Sequence, residues 1–202
     1  MLSNLLFLPG ASGNTSFWKP VSDSLVYPAK KTHISYPGYG STPSEPDINS
    51  LDDLAAKIVA EIEEPTALIA QSMGGVIAII AALEKPTLIT HLVLCATSGG
   101  MDMSSMGAED WRPSFVEEYP TLPNWFSSFR GDLTERIPTV NSPTLLLWGD
   151  ADPISPVRVG QRLESLLPHA TLHTFVGGDH GFANTFSSSI APLIDKHLIN
   201  VN

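Results

Sequence analysis

The chain has 202 residues, 43% hydrophobic and 16% charged, which suits one domain with a substantial core. A formal net charge of −10 argues against nucleic acid and against an anionic membrane surface as partners, and serves solubility. The one cysteine, Cys95, cannot form an internal disulfide, so a reducing compartment fits and a cytoplasmic protein is expected. No run approaches membrane-spanning length, and Leu5-Leu6-Phe7-Leu8 is too short and lacks the basic leader of a secretory signal.

Taken in chain order, Leu5 to Leu8 reads as a strand, and a helix is expected within Thr15 to Leu25, its regularity limited by Pro20. Thr32 to Ser35 is a short strand ending in the turn Tyr36-Pro37-Gly38-Tyr39-Gly40. Ser50-Leu51-Asp52-Asp53 reads as a helix N-cap with an acid at the third helical position. Leu51, Leu54, Ala55, Ile58, Val59 and Ile62 follow at helical spacing, and Pro65 closes that helix.

Ala67-Leu68-Ile69 is then strand-like, and Val76 to Ala82 is long and apolar enough for a buried helix. Between them lies Ala70-Gln71-Ser72-Met73-Gly74-Gly75, a serine with the smallest side chains two residues away on each side. That is the pattern of a nucleophile elbow, a turn so sharp that only Gly or Ala fits at the flanking places. The serine is held in a strained backbone conformation with its hydroxyl thrust outward. The first small residue is usually Gly; here it is Ala70, whose single methyl can still fit.

His91 to Cys95 is the next strand, after which the alternation breaks. The stretch from Ser98 to about Ser142 is rich in Met, Trp, Phe, Pro and acids and shows no alternating strand. Thr144 to Gly149 resumes the pattern, followed by Asp150-Ala151-Asp152-Pro153, a helix from Pro156 to Leu167 and a strand from Ala170 to Val176. Gly177-Gly178-Asp179-His180-Gly181 comes next, and the last helix runs from about Ser187 to Ile199. Six strands alternating with helices predict a parallel sheet with helices on both faces. A serine, an acid and a histidine, in that order, each fall just past a strand's C-terminal end, where such sheets place their sites. Asp150 and Asp152 both stand where the acid is wanted.

On these residues the chain resembles the α/β-hydrolase family, specifically its compact, lid-bearing esterase-like members. The resemblance runs from Leu5 to Leu198. It rests on Leu8-Pro9-Gly10-Ala11-Ser12-Gly13 as the oxyanion loop, on Tyr36 to Ser41 as the turn after the second strand, on the elbow, on Gly149-Asp150-Ala151-Asp152, and on Gly178-Asp179-His180. It implies an α/β-hydrolase core formed by residues 1–98 and 143–202, and a short helical cap over 99–142. Relatives often carry a His where this chain has Pro9, and many begin with an antiparallel hairpin. The latter is missing here, so a trimmed, all-parallel sheet is expected.

The resemblance also assigns roles. Ser72 becomes the nucleophile, His180 the base that activates it and then the acid for the leaving group, and Asp152 the acid that orients His180. Asp152 is selected over Asp150 because the family places the acid three residues after Gly149; Asp150 and Asp179 become turn residues. Backbone N–H groups of Ala11 and Met73 form the oxyanion hole. Met101, Trp111, Phe115, Trp125 and Phe126 of the insertion, with Trp18, are candidate walls of an acyl cleft, and Met103, Phe129, Arg112, Arg130 and Arg136 lie in the same segment. His33, His91, His169, His173 and His197 lack a matching context, and no cluster has metal-ligand spacing, so neither metal nor cofactor is expected. The implied activity is hydrolysis of a small to medium carboxylic ester or thioester, with an acyl ester as the small-molecule partner. A C–C hydrolase or lyase with the same triad, and a ligand-binding sensor with slow turnover, are the alternatives.

Overall fold

The computed structural model describes residues 2–123 and 125–199; the side chain of Phe126 lies outside that description. Six strands form one sheet: β1 (Asn4–Leu8), β2 (Lys30–His33), β3 (Thr66–Gln71), β4 (Ile89–Cys95), β5 (Thr144–Gly149) and β6 (Ala170–Phe175). Their order is β2-β1-β3-β4-β5-β6, and every pairing is parallel. Among the described residues the sheet is therefore the all-parallel one that the sequence predicts.

Side chains alternate across this sheet, because successive Cβ atoms of a strand point to opposite faces. Leu8, Leu68, Ala70, Leu92, Leu94, Leu146 and Trp148 face one way. They pack against α2 (Leu51–Ala60), α3 (Met73–Glu84) and α5 (Val157–Leu166). Leu5, Phe7, Ala67, Ile69, Val93, Cys95, Leu145 and Leu147 face the other, under α1 (Lys19–Ser24) and α7 (Ser187–Ile199). Helix α3 is apolar almost all round because sheet, α2 and the chain's later loops enclose it. Helix α2 starts as its sequence requires: the Ser50 hydroxyl accepts from the Asp53 N–H at 3.0 Å, and the Asp53 carboxylate accepts from the Asn49 N–H at 3.0 Å.

Element ends move by a few residues. Strand β2 lies at 30–33 rather than 32–35, since its pairing with β1 runs from Asn4↔Lys30 to Phe7↔His33. An edge strand can carry two lysines that no hydrophobic pattern announces. Helix α3 begins at Met73, directly on the elbow, three residues before its apolar run. Among the described residues between β4 and β5 the regular structure is α4 (Arg112–Glu118) and short 3₁₀ turns at Trp125–Ser128 and Ile137–Thr139. A four-residue helix, α6 (Phe182–Thr185), follows the His180 loop. Among the described residues no helix is long and apolar enough to cross a membrane.

Candidate active site

Strand β3 ends at Gln71, and Ser72 turns the chain into α3 with φ 53° and ψ −120°. A positive φ is costly for a residue with a Cβ. Two contacts enforce it: the Ser72 N–H donates to the Cys95 carbonyl of β4 at 2.9 Å, and the Gly75 N–H donates to the Ser72 carbonyl at 2.9 Å. The crowding explains the glycines. A Cβ on Gly74 would lie 2.6 Å from the Pro9 carbonyl oxygen and 2.8 Å from that of Leu8, both backbone atoms that cannot swing aside.

The loops after β5 and β6 bring two further side chains to this elbow. His180 Nε2 lies 3.0 Å from Ser72 Oγ, and His180 Nδ1 lies 2.8 Å from Asp152 Oδ2. A carboxylate only accepts, so Nδ1 carries the proton and Nε2 accepts from the serine hydroxyl. The Asp152 side chain is fully buried, and its other oxygen accepts from the Ile154 N–H at 2.9 Å and the Ser155 N–H at 3.0 Å. Burial of that charge is thus compensated by three donors. Asp150 points elsewhere: its carboxylate accepts from the Gly177 N–H at 2.6 Å and so ties the two loops together. Asp179 accepts from the Gly181 N–H at 2.9 Å within its own turn.

The loop after β1 borders the serine from the other side. A Cβ on Gly10 would lie 3.3 Å from Ser72 Cβ, and Ala11 follows directly. The hydroxyl of fully buried Tyr36 donates to the Pro9 carbonyl at 2.7 Å and anchors this loop from beneath. Met73 is the first residue of α3, so its N–H lies in the first turn, where helix donors lack an intrahelical partner.

Ser72 and His180 open into a cavity of about 580 Å³. Its apolar wall includes Leu51, Val76, Met101, Met103, Trp111 and Phe129; its charged rim holds Asp102, Glu109, Asp110, Asp132, Arg112 and Arg130. Of the predicted wall residues, Met101 and Trp111 line this cavity. Trp18 does not: it is buried on the opposite face against Phe7 and Phe17, and its indole N–H donates to the Leu8 carbonyl at 3.0 Å. Phe115 packs on Trp111 and Tyr119 and faces a smaller hollow with Leu122 and Pro123. Trp125 packs on Tyr39, with ring centroids 6.3 Å apart. Phe115 thus packs within the segment and Trp125 ties it to the turn after β2, and an apolar residue in such a stretch can serve either use. The expectation for Phe126 concerns a side chain outside the described ones.

Sequence reasoning assigned no role to Tyr36, Ser155 or Gln71. Gln71 had a signal, as the one polar residue in the buried run from Ala67 to Ala70 and onward to the serine. Among the described residues no group of three His, Cys, Asp or Glu could hold a metal ion.

A model described as the alpha/beta hydrolase family matches residues 5–135, and one described as a TAP-like protein matches residues 124–202. The chain is 23% identical over 223 aligned residues to a pimeloyl-[acyl-carrier protein] methyl ester esterase of Aliivibrio salmonicida, covering 88% of this chain and 85% of that one. It is 24% identical over 221 residues to a 2-hydroxy-6-oxononadienedioate/2-hydroxy-6-oxononatrienedioate hydrolase of Burkholderia vietnamiensis, covering 83% and 75%. Among solved structures, a thermophilic esterase from Thermogutta terrifontis superposes with a TM-score of 0.77 at 18% identity, over 97% of this chain and 89% of that one.

Proposed function

The chain belongs to the alpha/beta hydrolase family, and from that premise we propose that it is a carboxylic ester hydrolase using Ser72, His180 and Asp152 as its catalytic triad. One observation carries the reading: a serine hydroxyl, an imidazole and a fully buried carboxylate in one hydrogen-bonded chain, at 3.0 and 2.8 Å, opening into a cleft. Similarity to a methyl ester esterase supports it.

In the first half-reaction Ser72 Oγ attacks the ester carbonyl while His180 Nε2 takes the hydroxyl proton. Negative charge collects on the carbonyl oxygen, where the N–H groups of Ala11 and Met73 receive it; one such donor is commonly worth about 3 kcal/mol. The C–O bond then breaks, and His180 passes the proton to the leaving alcohol. Water repeats the sequence on the acyl-enzyme, releasing the acid and restoring Ser72. Residues 99–142 form a cap over the cleft, with Met101 and Trp111 against the acyl group. The substrate is a small to medium ester or thioester, by the size of the cavity.

A second reading, hydrolysis of a C–C bond by the same triad, draws on the similarity to the oxononadienedioate hydrolase and on Arg112 and Arg130 in the cleft wall. The ester reading leads because Arg112 is already engaged with the Asp110 carboxylate and the Ser127 carbonyl, and Arg130 with the carbonyls of Ser127 and Phe129. The test is turnover of p-nitrophenyl esters, from acetate to long acyl chains, by wild type and Ser72→Ala in parallel. We expect a maximum at one chain length and a loss of rate on the order of a millionfold in the variant. Folded wild type that leaves every ester intact would refute the ester assignment. More than a few per cent activity in the variant would refute Ser72 as nucleophile.

A further inference from the structure

The residue that precedes the serine reaches both loops that flank it. Gln71 closes β3, is 6% exposed, and sends its side chain across the end of the sheet. Its Nε2 donates to the backbone carbonyl of His180 at 3.3 Å. Its Oε1 lies against Gly10, close enough that any side chain at position 10 would collide with it. One buried amide therefore spans from the loop that carries the base to the loop on the other side of the elbow.

We infer that Gln71 is a positioning residue, which fixes the His180 main chain so that the imidazole stays aligned between Ser72 and Asp152. The inference rests on the serine-hydrolase reading. The physical need is specific. Asp152 and Ser72 hold the two ring nitrogens, but the ring must release Ser72 when it carries the proton to the leaving group. At that moment the bond to the nucleophile no longer holds Nε2. A tether on the His180 backbone keeps the ring in reach of both oxygens through the exchange. Displacement of a reacting group by about 1 Å can cost a hundredfold in rate. Gln71 is suited to the task because it leaves the same strand end as Ser72, so tether and nucleophile move together. The glycine at position 10 has its second reason here, as the place the amide occupies.

The test compares wild type with Gln71→Met, which keeps the length and volume of the side chain but removes the donor, and with Gln71→Glu, which keeps the shape and replaces the donor by an acceptor. Active sites are counted by burst titration, and turnover is expressed per titrated site on the best p-nitrophenyl ester. We expect kcat per site to fall about tenfold or more with KM within about twofold, and the downfield Nδ1 proton resonance of His180 to broaden. A residue that only supports the fold would lower the melting temperature and the number of titratable sites while leaving kcat per site unchanged. That result, kcat per site within about twofold of wild type in both variants, would overturn the inference. The rate at which a fluorophosphonate labels Ser72 gives a second readout, because it needs the serine–histidine pair and no particular ester. Slower labelling in both variants supports the tether even if no ester is turned over. Equal labelling rates, or no labelling of wild type, refute it.

Discussion

Asp150 and Asp152 stand two residues apart after the same strand and do different work, and the difference lies in what each carboxylate touches. Asp152 is enclosed, takes two backbone N–H bonds on one oxygen and the His180 ring on the other. Asp150 is exposed and holds Gly177. Asp152→Asn should lower kcat by about 10³- to 10⁴-fold, because an amide can present its N–H₂ to the ring and favour the wrong tautomer. Asp150→Asn should keep kcat within about tenfold. Steady-state kinetics on one ester decides, and a reversed order would make Asp150 the triad acid. The same scale governs Gly74. A methyl there meets two backbone carbonyls, so Gly74→Ala should destabilise the protein by about 2 kcal/mol, measured by urea unfolding.

At the scale of elements, the succession of strands along the chain and their parallel direction were readable because a buried parallel sheet needs apolar runs and its loops need Gly, Pro and Asp. The elbow was readable for the same reason: Ser72 sits between a strand and a helix with Gly74 where a side chain cannot fit. Strand β2 slipped because a sheet edge tolerates Lys30 and Lys31. Trp18, Phe115 and Trp125 pack away from the cleft that Ser72 lines, and the sequence cannot separate the two uses because burial in the core and burial around a substrate demand the same apolar side chains. The roles of Gln71 and Tyr36 were not legible because they lie in contacts 109 and 27 residues away in sequence.

Helix α7 also bears on acid stability. His197 lies against His91 of β4, with ring centroids 5.2 Å apart, and its Nε2 donates to the Leu92 carbonyl at 3.1 Å. Burial, reinforced by repulsion from His91, pushes its pKa down to about 4, whereas an unfolded chain titrates near the ordinary value of 6.5. The folded-state pKa is the lower one, so the unfolded state binds the proton first as pH falls. His197 therefore changes nothing above about pH 6.5, and stability drops progressively from there to about pH 4, by about 3 kcal/mol in total. His197→Gln keeps a donor for the carbonyl and does not titrate. It should flatten the fall in urea-unfolding free energy across that window; an unchanged slope would remove His197 as the cause.

For the whole molecule the relevant quantity is the field at the cleft. The chain carries a formal charge of −10, and the cleft rim sets four carboxylates against two guanidiniums. Asp102, Asp110 and Asp132 are held below the usual carboxylate range by hydrogen bonds from Ser104, Arg112 and Thr134, so all three stay charged at neutral pH. Both guanidiniums already serve protein oxygens. An ester with a carboxylate on its alcohol or acyl side thus enters a negative mouth. Coulomb's law in water, for a net charge of about two at roughly 8 Å, gives a discrimination of about fivefold against an anionic ester relative to a neutral one of equal size. One Debye length at physiological salt is also about 8 Å, so the gap should shrink to about twofold there. Measured as kcat/KM for a matched neutral and anionic pair at low and at physiological ionic strength, the ratio should fall with salt. The double variant Asp102→Asn, Asp132→Asn should narrow the gap at low salt. An anionic ester that is preferred at low salt would mean that Arg112 or Arg130 leaves its protein partners to meet the substrate, which is the arrangement the C–C hydrolase reading requires.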